Sequence, residues 1–181
     1  MKKPRFVDFP ESEYRWRMRR ASDLLKEEGL EGLIMTQSEN VYYTTGLQHV
    51  DVIRNIKDMP PTVTILTRDQ KAAIVGRWPR SHPIIQETSW PEDVFSYGEN
   101  ERPAEAIVRA LRECGLIGGK VGMELDGAAR FGLSINEFET LKKQASRSAG
   151  VQIVDGSAVV WRLRSVKSDL EIERLRRSVH A

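Results

Sequence analysis

The chain lacks the residues that mark several classes of protein. It has one cysteine, Cys114, among 181 residues, so it cannot form an internal disulfide framework and suits a reducing compartment. No apolar run approaches the roughly 20 residues of a membrane span, and the N-terminal residues lack the apolar core of a signal peptide. These absences predict a cytoplasmic protein without a membrane partner.

Charge, glycine and histidine patterns exclude further functions. The formal net charge of +2 is too small and too evenly spread to indicate a nucleic-acid partner. The glycines of segment 115–119 precede a strand pattern instead of opening a helix, so they predict a helix stop and a turn, not a phosphate loop. Three histidines, His49, His82 and His180, are far apart in the sequence. Only convergence in the fold could therefore bring them to one metal ion.

What is present is a regular alternation of helix and strand patterns. Apolar residues make up 40% and charged residues 30% of the chain, as in folded globular proteins. The alternation predicts a three-layer α/β/α fold, with helices on both faces of a mixed sheet. Two β-branched runs joined by four residues predict a hairpin, hence at least one antiparallel strand. The predicted helices are 12–28, 38–46, a short one near 84–85, 103–114 and 134–146, and the strands are 32–36, 62–67, 72–76, 94–97, 120–125 and 151–154.

The last stretch of the chain predicts a well-formed helix start. Ser168 is followed three residues later by Glu171, the capping-box spacing that satisfies free amide donors at a helix N-terminus. The helix would carry Leu175 and Val179 on one face, with no partner for that face in the chain. We therefore expect a domain over 1–155, an interdomain linker over 156–167, and the first helix of a further, missing domain over 168–181.

Several conspicuous side chains have ordinary structural explanations. Cys114 lies near a predicted helix end and is expected to be a buried small hydrophobe, not a nucleophile. Trp161 is expected to pack in the core. The carboxylates Glu124 and Asp126 could point the same way, two residues apart on a strand. A surface strand end explains them better than an acid/base pair, which would need separated pKa values.

Segments from three parts of the chain resemble one known family, in the order in which that family carries them. The segments 29–36 (GLEGLIMT) and 38–46 (SENVYYTTG) resemble the opening of the N-terminal domain in the creatinase/prolidase/aminopeptidase P family. The segment 120–124 (KVGME) is similar to a strand of that domain, and 151–155 to its last strand. The segment 161–172, which begins WRLRSVKS, resembles the junction into the family's catalytic domain.

The resemblance implies a fold for this chain and a separate catalytic domain in the parent protein. It implies a ribonuclease-H-like topology for the first 155 or so residues, followed in the parent protein by a "pita-bread" catalytic domain. Metallopeptidase members of the family hold two divalent ions (Mn, Co or Zn) in that second domain, where a bridging hydroxide would attack the scissile carbonyl. The chain itself would then hold no metal and no catalytic residue. Creatinase-like members use the same scaffold without metal, so the resemblance leaves the parent's cofactor open.

The resemblance also implies a homodimer and residues that act on the neighbouring subunit. In creatinase-like members, an arginine eight residues beyond the glycine of the YYTTG segment contacts the substrate carboxylate, and that position is Arg54 here. An arginine fork binds a carboxylate with two charge-assisted bonds. Val52 replaces an aromatic residue of creatinase, and His49 in the same loop is a second candidate. Arg54 as a solvated loop residue is an equally good explanation.

Two hypotheses follow from the sequence. The first is a dimerisation and substrate-gating domain of a hydrolase that acts on an Xaa-Pro peptide or on a carboxylate-bearing substrate with a related C–N bond. The second is a peptide- or protein-binding module of a non-enzymatic relative.

Overall fold

The computed structural model describes residues 4–48, 61–126 and 132–179. Within these ranges six strands form one mixed sheet in the order β4-β3-β2-β1-β5-β6. Strand β2 is antiparallel to both of its neighbours, and the remaining pairs are parallel. The strands are β1 (Gly32–Met35), β2 (Val63–Thr67), β3 (Ala72–Gly76), β4 (Asp93–Ser96), β5 (Lys120–Met123) and β6 (Gln152–Asp155).

The helices agree with most of the sequence predictions. Proline at the first or second position opens two of them, and a left-handed glycine ends two others, as helix-boundary preferences require. The helices of the described residues are α1 (Glu11–Glu27), α2 (Ser38–Thr45), α3 (Pro83–Thr88), α4 (Pro103–Glu113), α5 (Ile135–Ala149), α6 (Ser157–Ser165) and α7 (Asp169–Val179).

The sheet separates two helical layers. Strand β1 shows this directly, because its neighbouring side chains point to opposite faces. Ile34 belongs to the core cluster formed with α4 and α5, while Leu33 and Met35 belong to the cluster formed with α1 and α6. The predicted three-layer α/β/α fold with a mixed sheet is therefore confirmed, and so is the hairpin, which is β2–β3. Cys114 is buried at the end of α4, as expected.

Segment 156–167, expected as an interdomain linker, contains helix α6 packed on the domain. Val159, Val160 and Leu163 of α6 are buried in the cluster that α1 lines. The turn into α6 lies so close to the sheet that a Cβ on Gly156 would be 2.8 Å from the Cα of Gly122. The packing of α6 thus requires a glycine at this crossing. The division of the parent into domains stays a prediction.

The close approach at Gly156 gives a stability prediction. We expect Gly156→Ala to lower the free energy of unfolding by about 1–3 kcal/mol, because the added methyl group overlaps backbone atoms that cannot move independently. Urea unfolding followed by circular dichroism measures the change. Gly98→Ala is the matched control, since a Cβ there would meet no atom within 4 Å. Equal free energies of unfolding for the two variants would contradict the close contact between Gly156 and Gly122.

Candidate functional site

A buried carboxylate lies where the parallel strands β1 and β5 end. Glu124 follows β5 directly and is 2% exposed. One of its oxygens, Oε2, accepts hydrogen bonds from the backbone N–H groups of Thr36 (2.7 Å) and Gln37 (3.1 Å). The other oxygen accepts from the side-chain amide of Asn40. Thr36 and Gln37 lie in the turn before α2 and Asn40 lies in its first turn, so Glu124 joins the end of β5 to the start of α2. Its charge lies near the N-terminus of that helix, where the helix dipole favours it.

This burial corrects the expectation that Glu124 marks a surface strand end. Burial raises the pKa of the Glu124 carboxyl above 4.5, although the bonds from Thr36, Gln37 and Asn40 and the charge of Arg164 act in the opposite direction. The sequence pattern gave no sign of this, because the donors lie about 84–88 residues away in the chain. Asp126, by contrast, is exposed as expected.

Arg164 extends the Glu124 contacts to helix α6. Its Nη1 donates a hydrogen bond of 2.6 Å to the side-chain oxygen of Asn40. Asn40 therefore bridges Glu124 and Arg164, donating to one and accepting from the other. The three segments that carry the family resemblance meet at this point: α2, the end of β5, and the stretch that begins at Trp161.

These residues line a crevice of about 320 Å³. Its lining includes the buried polar residues Glu124 and Ser157 beside the apolar Val160. Its rim is formed by charged residues and by the indole of Trp161, which is 69% exposed. Packing in the core, expected for Trp161, is therefore wrong, because α6 turns this residue outward. The crevice is lined by Gln37, Asn40, Glu124, Asp126, Ser157, Val160, Trp161, Arg164, Ser165 and Lys167.

A second polar centre surrounds Arg17 of helix α1. Arg17 is 1% exposed, and its guanidinium carbon lies 4.0 Å from the ring centre of Tyr43 and 4.5 Å from that of Phe9. Its Nε donates to Glu13 (3.0 Å) and its Nη1 donates to the carbonyl oxygen of Tyr43 (2.7 Å). Burial of this charge is tolerable because it is paired, bonded and stacked on aromatic rings.

Helix α7 begins on the Arg17 centre. The predicted capping box is present: the backbone N–H of Ser168 donates to Glu171 (2.9 Å), and that of Glu171 donates to the Ser168 hydroxyl (3.2 Å). The same hydroxyl donates to Glu13 (2.8 Å), and Glu171 lies 3.6 Å from Nη2 of Arg17. Further along α7, Arg174 pairs with Asp8 at 2.9 Å. The start of α7 is thus bound to the domain by polar contacts.

The residues proposed to touch a substrate lie outside the described part of the chain. Arg54, His49 and Val52 all fall within residues 49–60, so their roles stay predictions. Among the described residues, no three His, Cys, Asp or Glu side chains form a group that could hold a metal ion. The described residues therefore do not fit a two-metal centre. That such a centre lies in another domain of the parent protein stays a prediction. No helix of the described ranges is long and apolar enough to span a membrane.

A comparison with family models shows to which family the chain belongs. The model of the creatinase/prolidase N-terminal domain family matches residues 17–166. The chain belongs to this family. No curated protein sequence matches the chain.

Solved structures of creatinase/prolidase N-terminal domains share the fold. An Xaa-Pro dipeptidase from Bacillus anthracis (TM-score 0.64, 16% identity) covers 88% of the chain, which spans 38% of that protein. A dipeptidase from Pyrococcus horikoshii OT3 (TM-score 0.62, 18% identity) covers 87%, and again the chain spans 38% of it. The N-terminal domain of an X-Pro dipeptidase from Streptococcus pyogenes (TM-score 0.58, 18% identity) covers 82% of the chain and is itself covered over 98%.

The raised pKa of Glu124 predicts a pH-dependent stability difference. Because the folded-state pKa is above the unfolded value, the stability from this group is present at low pH and is lost as pH rises through the folded pKa. We expect Glu124→Gln to be less stable than the wild type by about 2 kcal/mol, since the amide cannot accept all three bonds. This gap should narrow as pH rises above 4.5.

Urea unfolding of the wild type and of Glu124→Gln, at several pH values from acidic to neutral, measures the difference between their free energies of unfolding. Glu139→Gln, on the exposed face of α5, is the control for removing a carboxylate. A gap that widens with rising pH would mean that the hydrogen bonds outweigh desolvation at Glu124.

The contacts of Glu171 predict a local effect on α7. We expect Glu171→Gln to speed amide hydrogen exchange in 169–179 by about tenfold, because loss of a partly buried ionic contact costs about 1–2 kcal/mol. Glu173→Gln is the matched control, since Glu173 pairs with Arg177 on the exposed side of α7. Hydrogen-exchange mass spectrometry reads both. If the two variants exchange alike, Glu171 does not hold the helix.

Proposed function

We propose that this chain is the N-terminal, non-catalytic domain of a peptide hydrolase that cleaves Xaa-Pro bonds. The family match and the fold shared with Xaa-Pro dipeptidases support the proposal. The observation that carries it is the set of polar contacts between the start of helix α7 (Ser168 and Glu171) and the α1 residues Glu13 and Arg17, called the seat of α7 below. This seat would let the domain hold the first helix of a catalytic domain.

The seat of α7 combines a fixed start with a free outer face. The capping residues Ser168 and Glu171 are bound, whereas Leu175 and Val179 farther along α7 are 54% and 81% exposed. Charged hydrogen bonds add directional specificity, because only one orientation satisfies each of them. A domain that binds the helix start in this way would set the direction of the following chain and leave the apolar face to the catalytic domain.

The proposal also includes the expectations about the oligomeric state, the metal ions and the substrate of the parent protein. We propose a homodimer in which Arg54 reaches the substrate of the partner subunit, and a catalytic domain that carries two divalent metal ions. The substrate would be a small peptide or another molecule with a free carboxylate. A creatinase-like hydrolase of a different C–N bond, or a non-enzymatic binding relative, would use the same N-terminal domain, and the test below separates these outcomes.

The proposal predicts where the activity resides. We expect the purified 181-residue chain to leave leucyl-proline intact with added manganese, cobalt or zinc, and the full gene product to release proline under the same conditions. Chromatographic assay of free proline measures both. Turnover by the 181-residue chain would overturn the non-catalytic role. An inactive full product would favour the binding relative, and a full product that cleaves creatine instead would favour the creatinase-like hydrolase.

A further inference from the structure

We propose that the crevice beside Glu124 binds a free α-amino acid with an apolar side chain, in its zwitterionic form. The crevice volume of about 320 Å³ lies at the lower end of small-molecule sites, which range from about 300 to 1,000 Å³. The proposal concerns binding by this chain alone and goes beyond its role in a hydrolase.

The crevice offers two cations to a carboxylate. Arg164 is half-buried, and one of its nitrogens, Nη1, is engaged by Asn40. Within the described ranges no other acceptor binds this guanidinium, and no carboxylate forms a salt bridge with Arg164 or with Lys167. Lys167 donates to the carbonyl oxygen of Arg164, which places its ammonium beside the end of α6. The charge of Arg164 is partly balanced by Glu124, to which Asn40 links it. Lys167 has no carboxylate partner among the described residues, so the two cations together favour a ligand carboxylate.

Asp126 offers the opposite charge to an ammonium group. Its backbone N–H donates to Ser157 (3.0 Å), which fixes the residue at the crevice. Its exposed carboxylate has no partner among the residues that the structure describes. Glu124 cannot take this role, because three donors already occupy its oxygens. A ligand ammonium would therefore be recognised by Asp126.

Charges of both signs select between ligand classes. A simple anion such as phosphate would be repelled by Asp126, and a simple cation by Arg164 and Lys167. An α-amino acid carries both charges on one carbon and therefore matches a lining that holds both signs. Val160 and the exposed indole of Trp161 then supply an apolar wall on which the side chain of an amino acid can lie.

Isothermal titration calorimetry of the 181-residue chain with three probes tests each part of the site. L-Leucine carries both charges, N-acetyl-L-leucine lacks the ammonium, and L-leucinamide lacks the carboxylate. We expect saturable binding of leucine, and binding of each blocked probe that is weaker by about tenfold, the factor that corresponds to one charged contact.

Variants of exposed residues assign the two charged ends without disturbing the core. Asp126→Asn should weaken leucine binding by about tenfold and leave N-acetyl-leucine unchanged, while Lys167→Gln should weaken leucine and leave leucinamide unchanged. Trp161→Ala should weaken all three probes. Lys143→Gln, on helix α5 at the other face of the sheet, is the control and should bind like the wild type. Thermal melting checks that each variant is folded.

Three results would overturn the proposal. They are absence of saturable leucine binding, leucinamide or inorganic phosphate binding as tightly as leucine, and an Asp126→Asn effect that is the same for leucine and N-acetyl-leucine. The measurement has no peptidase readout, so its failure would leave the proposed hydrolase intact. An inactive full gene product would, conversely, leave amino-acid binding untouched.

Discussion

The buried carboxylate of Glu124 is the constraint on which this domain depends. A carboxylate out of contact with water is tolerable only when donors satisfy it, and here they come from Thr36, Gln37 and Asn40. The ends of β1 and β5 and the start of α2 must therefore be in register before the charge can be buried. Apolar packing alone would allow small displacements of α2, whereas these bonds allow one position.

The same logic holds at the C-terminal part of the domain, where polar contacts add to the apolar packing of α6. Arg164 joins α6 to α2 through Asn40, and Arg17 joins α1 to the start of α7 through Glu171. These two contacts lie on either side of residue 166. The chain is therefore held on both sides of the α6–α7 turn, each time by an arginine that contacts an element distant in the sequence.

Local sequence patterns predicted the elements well but not the contacts between them. Capping at Ser168, the β2–β3 hairpin and the buried Cys114 follow from neighbouring residues, and the structure confirms them. The burial of Glu124 and Arg17 could not be predicted this way, because their partners lie far away in the sequence. Arginine is a residue type that is usually exposed, and the burial of Arg17 depends on the aromatic rings of Tyr43 and Phe9. Helix α6 was not predicted because no capping side chain marks its start, where the N-cap residue is Gly156.

The two anchored contacts also bear on how a gating domain would work. If α7 opens a catalytic domain, then Arg17, Glu171 and Ser168 attach that domain to α1 at the point where a hinge would otherwise lie. Rotation there would separate Glu171 from Arg17 and the Ser168 hydroxyl from Glu13, and loss of hydrogen bonds to charged groups costs about 1.5–3 kcal/mol each. Movement about this junction is therefore disfavoured, and the two domains would move as one body. Control of substrate access would then come from segments that do not pass through the junction, of which the 49–60 stretch with Arg54 is the proposed example.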